Sequence, residues 1–285
     1  MHIHPLPPCA FHLIGQRDYQ QDCLYPTNEE AIDNQRFCLV CDGVGGSECG
    51  ELASQIVSAE MTKLLSLVDW DSPFTPQHFK EILTITYKAL DSRAKGIDTA
   101  TTLALTCIHS EGCLMAHIGD SRIYQFRPGE GIVYKSEDHT LVNAMVRDGR
   151  ISSKEALAHP DRDVITRCMQ PLKRKAHDSA TVRMTNNVKK GDLFLLCSDG
   201  VTDEIGDDTL CEILLSTESC KEKVNKLATL CDDARDNATA ILMEVYDVTI
   251  ESDEMIFDTT TEVSPEDERI FKTNIWTRIR SCLNI

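Results

Sequence analysis

Residues 38–54 read CLVCDGVGGSECGELAS, an apolar run that passes into an aspartate, a glycine-rich turn and a helix-like segment. Glycine-rich turns between a strand and a helix commonly bind phosphate through backbone N–H groups. Asp42 stands at the start of this turn, where its negative charge would repel a phosphate. The aspartate therefore needs a different explanation from the turn.

Three familiar phosphate-binding motifs do not fit the chain. The glycines of the turn have the spacing of a P-loop, but Glu51 stands where a lysine would neutralise phosphate. A dinucleotide-binding turn needs a third glycine, and Glu48 occupies that position. Cys168 and Arg174 have the spacing of a thiolate phosphatase loop, but the intervening MQPLK contains a proline and no glycine. Such a loop has too few backbone donors for one anion.

The overall charge is strongly acidic, with 46 acidic and 29 basic residues and a formal net charge of −17. This balance argues against nucleic acid as a partner, because a phosphate backbone requires a basic surface. Eight acids and no base lie in residues 251–268, so we interpret residues 249–268 as a solvated acidic linker after a domain spanning residues 1–248.

The sequence also indicates a reduced, cytoplasmic environment. The 13 cysteines are odd in number and irregularly spaced, and several lie inside apolar runs, where cysteine acts as a small hydrophobic residue. The first residues lack the pattern of a signal peptide, and no apolar run is long enough to span a membrane.

Apolar, β-branched runs bounded by turn residues predict strands at 37–41, 101–108, 113–118, 121–126, 164–168, 192–197 and 239–245. Helical periodicity predicts helices at 51–66, 141–146, 203–215 and 220–231. A further short helix should begin at Ser152, which has capping-box spacing to Glu155. Because the strands do not alternate strictly with helices, the pattern favours mostly antiparallel sheets packed with helices.

The last 17 residues, 269–285, predict an amphipathic helix. Apolar and basic side chains recur there at helical spacing on opposite faces: Ile275, Trp276, Ile279 and Leu283 against Lys272, Arg278 and Arg280. Such a helix would pack on its own domain, or else dock on a partner or a membrane surface.

Asp42 is one of five aspartates that lie where a predicted strand ends or a turn begins: Asp22, Asp42, Asp120, Asp199 and Asp236. A single aspartate in a turn is usually a turn-former. Several carboxylates brought together would repel one another and raise their pKa values. Mg²⁺ and Mn²⁺ are the natural remedy, because these ions prefer oxygen ligands. We therefore expect Asp42 to hold a metal ion, and the metal to meet the phosphate.

With these aspartates in this order, the chain resembles the metal-dependent protein phosphatase family (PPM, type 2C), especially its compact bacterial serine/threonine members. The resemblance covers about residues 10–247. Eight stretches carry it in the order of the family: GQRDYQQD, CDGVGGSECGELAS, TATTLALT, AHIGDSRIYQF, SEDHTLV, RDGRISSKEALAHPDRDVITR, GDLFLLCSDGVTDEI and RDNATAILMEV.

The resemblance implies an α+β fold, a four-layer α-β-β-α sandwich of two mostly antiparallel sheets flanked by helices. It implies two or three Mn²⁺ or Mg²⁺ ions per chain. Asp42 would bridge two ions, and the Gly43 carbonyl would bind one of them. Asp199 and Asp236 would complete the other shell, and Asp120 would bind a third ion with Asp199.

The same resemblance implies the catalytic roles. Arg17 would bind the phosphoryl oxygens, Asp22 would hold a metal-bound water, and Arg162, on the variable flap of residues 139–165, would touch substrate. Val44 stands where many eukaryotic members carry a histidine proposed as general acid, which leaves the proton donor to the leaving group open. For His139 a hydrogen-bonded structural role is expected rather than that of a base.

The implied activity is hydrolysis of phosphoserine and phosphothreonine in proteins by a metal-activated water, without a phosphoenzyme. The partners would be phosphorylated proteins, the targets of a serine/threonine kinase, with docking through the helix at 269–285. The alternative is a catalytically inactive phosphoprotein-binding adaptor on the same fold. Inactive members typically lose metal-binding aspartates, and all those expected here are present.

Overall fold

The structure, a computed structural model, describes residues 1–44, 49–171, 177–249 and 256–265. The strands in these residues are β1 (His2–Pro5), β2 (Cys9–Leu13), β3 (Cys23–Tyr25), β4 (Phe37–Cys41), β5 (Leu103–His109), β6 (Gly112–Ile118), β7 (Arg122–Arg127), β8 (Gly131–Lys135), β9 (Ala180–Thr185), β10 (Leu193–Cys197), β11 (Ala238–Thr249) and β12 (Asp258–Val263). The helices are α1 (Gly50–Leu65), α2 (Pro76–Arg93), α3 (Leu141–Arg147), α4 (Ser153–Leu157), α5 (Asp199–Thr202), α6 (Asp207–Leu214) and α7 (Cys220–Leu230).

The strands form two six-stranded sheets in which the pairs are antiparallel. Sheet I has the order β1-β11-β10-β7-β8, and β2 pairs with the first part of β11. Sheet II has the order β12-β9-β6-β5-β4-β3. This arrangement confirms the predicted α+β class with mostly antiparallel sheets.

Three apolar cores separate four layers. Side chains from the facing sides of the two sheets form the central core, which includes Val40, Met115, Phe194 and Ile241. The outer face of sheet II packs on α1 and α2, and the outer face of sheet I packs on α5, α6 and α7. The molecule is thus the α-β-β-α sandwich that the resemblance implied.

Strand β4 shows how the sequence of the opening stretch produces this layering. All five of its residues are buried, because both faces of sheet II are covered. Cys38 lies in the central core and Cys41 in the core beneath α1, as expected for residues an odd number of positions apart on a strand. The two thiols point to opposite faces and cannot share a metal ion.

Several element predictions need correction. Residues 164–168 are not a strand, although Ile165 makes an isolated bridge with Thr140. The sequence reading also missed α2, whose 18 residues mix β-branched and polar side chains, and several short strands that gain stability only from neighbours in the sheet. The helix expected at 203–215 begins later, at Asp207, after the separate short helix α5.

The interpretation of residues 249–268 as a solvated linker is wrong for its central part. β12 pairs with β9 along its whole length, from Asp258 opposite Thr185 to Val263 opposite Ala180. The threonines of DTTTEV favour extended backbone, and Arg183 and Arg167 neutralise its two end acids, Asp258 and Glu262. Sheet II therefore continues past the predicted domain boundary at residue 248.

The amphipathic helix predicted at residues 269–285 lies outside the described residues. Within the described ranges, no helix combines the length and apolarity needed to cross a membrane.

Candidate functional site

The five aspartates singled out above lie at one end of the sandwich. Asp22 directly precedes β3 and Asp42 directly follows β4, and the register places the neighbouring Cys23 and Cys41 opposite each other. In sheet I the register pairs Cys197, the last residue of β10, with Ala240 near the start of β11. Asp199, which follows β10, and Asp236, which precedes β11, therefore lie at the same end of this strand pair. Antiparallel pairing thus brings acids that are distant in sequence to one edge of both sheets.

The side chains of Asp42, which follows β4 of sheet II, and Asp199, which follows β10 of sheet I, lie close enough for each to affect the pKa of the other. Burial raises the pKa of Asp42 well above its ordinary value, and the charges of Asp22, Asp199 and Asp120 raise it further. Burial also raises the pKa of Asp199 to about 6, with the charge of Asp236 adding to the effect. Two carboxylates this close repel each other unless a proton or a cation compensates their charge.

Asp22 lies behind this pair and is almost fully buried, with 3% of its surface exposed. Burial raises its pKa to about 7, and the neighbouring hydroxyls of Thr239 and Ser198 oppose this rise. Ser198 Oγ donates to Asp22 Oδ2 at 2.8 Å. Within the described part of the chain, buried Asp22 Oδ1 has no hydrogen-bond partner, and neither has the nearby Thr239 Oγ1. An oxygen that is buried and unpartnered is free to bind a ligand.

Asp120 completes the group from the end of β6. Burial raises its pKa to about 8, the charges of Asp199 and Asp138 add to the rise, and Arg122 opposes it. Arg122 is itself held by Asp138 through hydrogen bonds of 2.6–3.0 Å. Its positive charge is therefore largely committed elsewhere, and the acidic group lacks a full compensating cation.

Asp236 differs from the other four aspartates because it forms an ion pair with Arg17. Arg17 Nη2 donates to Asp236 Oδ2 at 2.6 Å, and both side chains are partly exposed. Arg17 also lies within the field of Asp199 and Asp42, as its raised pKa reflects, with the hydrogen bond to Asp236 as the main cause. Arg17 is thus at the acidic site, and its contact with Asp236, a predicted metal ligand, uses one terminal nitrogen of the guanidinium.

As the side chains stand, the described residues contain no group of three or more His, Cys, Asp or Glu side chains arranged as a metal site. The acids instead stand in pairs, Asp42 with Asp199 and Asp236 with Arg17. The donor set still fits a hard divalent cation, since it offers only oxygens and one of them is buried and unpartnered.

The turn that carries Asp42 is fixed by two threonines of the TATT stretch. The Asp42 N–H donates to Thr102 Oγ1 at 3.0 Å, and the Asp42 carbonyl accepts from Thr102 N–H and Thr101 Oγ1 at 2.8 Å each. Ser121 in turn meets Thr102 Oγ1 at 2.6 Å. These hydroxyls set the position of Asp42. This role was not predicted from the sequence.

Gly43 allows the chain to pass through a very narrow space. A Cβ at this position would lie 2.6 Å from the carbonyl oxygens of both Gln21 and Gly50, and both of these are backbone atoms. Gly43 N–H also donates to Gln21 O at 3.1 Å. The loop before β3, the Asp42 turn and the start of α1 therefore meet at Gly43, and this position has no room for a residue with a side chain.

Asn237 organises the loop that carries Arg17 and Asp22. Its Oδ1 accepts from Gln21 N–H at 2.8 Å, and its Nδ2 donates to the carbonyls of Ile14 and Tyr19 at 2.8 and 3.1 Å. The sequence alone assigned no role to Asn237. A buried asparagine inside RDNAT, next to an acid, was the available signal.

The flap, residues 139–165, is tied down at both ends. Leu141 N–H donates to Val164 O, and Thr166 N–H donates to His139 O. His139 accepts from Gly119 N–H, contacts Thr181 Oγ1 and stacks on His117 with ring centroids 4.5 Å apart. This confirms the structural role expected for His139.

Arg162 lies on the flap and is half exposed. Its Nε is 3.1 Å from Asp163 and its Nη2 is 3.9 Å from Asp203, which is one helical turn past Asp199. Asp203 links Arg162 to the edge of the acidic site through charge, since it raises the pKa of Asp199. Arg162 therefore stands beside the site, and its predicted contact with substrate stays a prediction.

Comparisons with known proteins agree with this geometry. The sequence profile described as Protein phosphatase 2C matches residues 16–234. The serine/threonine protein phosphatase PstP of Mycobacterium tuberculosis is 31% identical over 233 residues, which are 77% of this chain and 42% of that protein. This chain thus spans less than half the length of that relative. The serine/threonine phosphatase stp of Listeria monocytogenes is 29% identical over 75% of this chain and 86% of its own length.

A solved structure supports the same likeness. The crystal structure of the PstP catalytic domain in complex with two manganese ions superposes with a TM-score of 0.68 and 28% sequence identity. The superposition covers 86% of this chain and all of that domain. The similarity therefore extends over most of this chain.

Proposed function

The chain belongs to the protein phosphatase 2C family, and on that premise we propose that it is a divalent-cation-dependent serine/threonine protein phosphatase. The substrates would be phosphoserine and phosphothreonine side chains of proteins, in line with the names of its relatives as serine/threonine phosphatases. One observation carries the proposal: five aspartates from both sheets meet at one edge, and four of them have raised pKa values.

The residues that would hold the cations are Asp42, the Gly43 carbonyl, Asp199, Asp236 and Asp120. Manganese is the first choice, because the catalytic domain of PstP was crystallised with two manganese ions. When bound, such ions supply positive charge for the phosphoryl oxygens and make water more acidic at neutral pH. Mg²⁺ is the second choice, and a third ion would use Asp120 and Asp199.

The side chains of this protein have separate tasks in the proposed reaction. Arg17 binds two phosphoryl oxygens with its planar guanidinium and so places the phosphorus at the acidic edge. Asp22, held by Ser198, accepts a hydrogen bond from the attacking water and orients it. Water attacks phosphorus in line with the departing serine or threonine oxygen, and no side chain becomes phosphorylated.

The compartment in the proposal is the cytoplasm. The described cysteines are all free thiols, and six of them are partly exposed: Cys9, Cys23, Cys49, Cys168, Cys211 and Cys220. Free thiols in such number favour a reducing environment.

The test is hydrolysis of p-nitrophenyl phosphate and of a phosphothreonine peptide by the purified chain with Mn²⁺. We expect both to be hydrolysed, EDTA to stop the reaction, and Asp42→Asn and Asp199→Asn to remove it while the fold is retained. Full activity in EDTA would refute the role of the cation. A protein that binds the phosphopeptide with Mn²⁺ but does not cleave it would instead be the inactive adaptor.

A further inference from the structure

A groove of about 900 Å³ lies between the flap and the helices α5 and α6. Apolar side chains from α3 and α4 contribute to its lining, namely Val142, Val146, Ala156 and Leu157. Leu157 is 78% exposed, which is unusual for a leucine on the wall of a groove. Val142 and Ala156 are buried, so the exposed apolar surface of the groove comes from Leu157 and, in part, from Val146. An exposed leucine on a concave surface is typical of a site that another segment covers.

The rim of this groove is acidic. Six acidic side chains and only three basic ones line it, an excess of three negative charges; the acids are Glu137, Asp138, Asp163, Asp203, Asp207 and Asp208. The bases Arg122, Lys135 and Arg162 are each paired with one of these acids. The occupant that this groove fits is therefore apolar on one face and basic at its margins.

The chain itself leads to this groove. β12 runs toward the end of sheet II that carries Asp120, because Val263 pairs with Ala180, and Thr181 pairs with His117 near the end of β6. Glu262 fixes this end of β12 through Arg167 Nη1 at 2.5 Å. Thr260 and Glu262 line a cavity of about 340 Å³ that shares Lys135, Glu137, Asp138 and Thr140 with the groove.

We propose that residues 269–285 of this same chain dock in the flap groove. This segment carries four basic side chains and no acidic one, in a protein whose net charge is −17. Its predicted apolar face, with Ile275, Trp276 and Ile279, would lie on the floor formed by α3 and α4. Lys272, Arg278 and Arg280 have stems long enough to reach the acidic rim from the margins of that face.

The length of the connection allows this docking. Five residues separate Val263 from Arg269, and an extended chain of five residues spans about 17 Å. The groove begins at the cavity that β12 already lines, so the connection does not need to cross a sheet. Docking at this place would put the segment on the flap, beside Arg162.

The fluorescence of Trp276 tests the proposal without reference to catalysis. The chain has two tryptophans, and Trp70→Phe leaves Trp276 as the reporter. Phenylalanine keeps the ring packing of Trp70 against Phe37 and Phe74. In this parent chain we expect a blue-shifted emission and low quenching by acrylamide, because the proposed docking would cover Trp276.

The groove variant is Asp163→Lys with Asp208→Lys in the same parent chain. Reversal of two rim charges should weaken docking on the order of tenfold and raise the quenching of Trp276. The tail variant, Arg278→Glu with Arg280→Glu, should act in the same way. Combining the two variants restores opposite charges across the groove and should restore the low quenching. High salt should weaken docking in the parent.

The matched control is Glu29→Lys with Asp232→Lys, which changes the net charge equally at exposed sites outside the groove. It should leave the quenching of Trp276 unchanged. The proposal is overturned if Trp276 is freely quenched in the parent, or if control and groove variants act alike. It is equally overturned if the shielding rises with protein concentration, which indicates a second copy, or arises only with anionic vesicles, which indicates a membrane surface.

Discussion

At the scale of the residue, Asp42 experiences opposite conditions with and without a cation. Without a cation its charge is unfavourable, because burial and three neighbouring acids raise its pKa. A bound cation turns the same charge into a favourable contact. The position of Asp42 at the end of β4 could be predicted from the sequence, since the register of a buried strand fixes where that strand must end.

The first prediction follows for Asp42→Asn. In chelator this variant should be more stable than the unmodified chain by about 1–2 kcal/mol, because it removes a buried repulsion. With Mn²⁺ the order should reverse, since the unmodified chain alone gains stability from binding. Urea unfolding with EDTA and with Mn²⁺ measures both differences. A variant that is less stable in both conditions would contradict the repulsion described for the site.

The second prediction concerns pH in the absence of divalent ions. Asp22 and Asp120 have pKa values raised to about 7 and about 8, so the folded chain holds protons that the unfolded chain releases. Stability should therefore fall as pH rises from 6.5 to 8, by up to about 1.4 kcal/mol per pH unit and group. Asp120→Asn should flatten the upper part of this decline.

Histidines oppose this trend at lower pH. Burial lowers the pKa values of His12, His117 and His139, so they favour the folded state only while they are neutral. Their contribution is lost as pH falls below about 6.5, the ordinary pKa of histidine. The thermal midpoint in EDTA should thus decline on the alkaline side of neutrality, and a rise between pH 6.5 and 8 would contradict the assignment.

At the scale of the element, the loops are placed by their neighbours. Gly43 touches the backbone of the loop before β3 and of α1, and Asn237 holds the loop of Arg17 with three hydrogen bonds. Neither role can be predicted from one segment, because each depends on contact between segments far apart in sequence. The strands β3, β8 and β12 escaped prediction for the same reason.

The third prediction compares two glycines. Gly43→Ala should destabilise the chain by about 1–3 kcal/mol and reduce phosphatase activity, since its Cβ would press two carbonyl oxygens apart. Gly206→Ala is the matched control, because its Cβ would meet no atom within 4 Å. The control should cost about 0.5 kcal/mol at the N-cap of α6 and leave activity unchanged. Equal effects of the two substitutions would contradict the close approach at Gly43.

At the scale of the whole molecule, the acidic edge belongs to both sheets. Asp42 and Asp120 come from sheet II, and Asp199 and Asp236 come from sheet I. The class of fold could be predicted from the grouping of strands, and its four layers from the family resemblance. The pairs Asp42–Asp199 and Asp236–Arg17 could not be predicted, because they depend on the distances between side chains that lie far apart in sequence.

The fourth prediction is that Mn²⁺ stabilises the two sheets together. At a free concentration of about 100 Kd the gain should be about 2.7 kcal/mol. Hydrogen exchange followed by mass spectrometry should show slower exchange at residues 42–44, 199–202 and 236–239 at the same time. Protection confined to one sheet would contradict a site built from both, and Asp42→Asn should show no change with Mn²⁺.

The ion pair between Arg17 and Asp236 occupies only part of the arginine. Arg17 donates to Asp236 through Nη2 at 2.6 Å, and a guanidinium carries five N–H donors in all. The same arginine can therefore stay anchored on Asp236 and still offer donors to a phosphoryl oxygen. On the proposed function, this anchor would hold the phosphate-binding group beside the ligands of the cation before any substrate arrives.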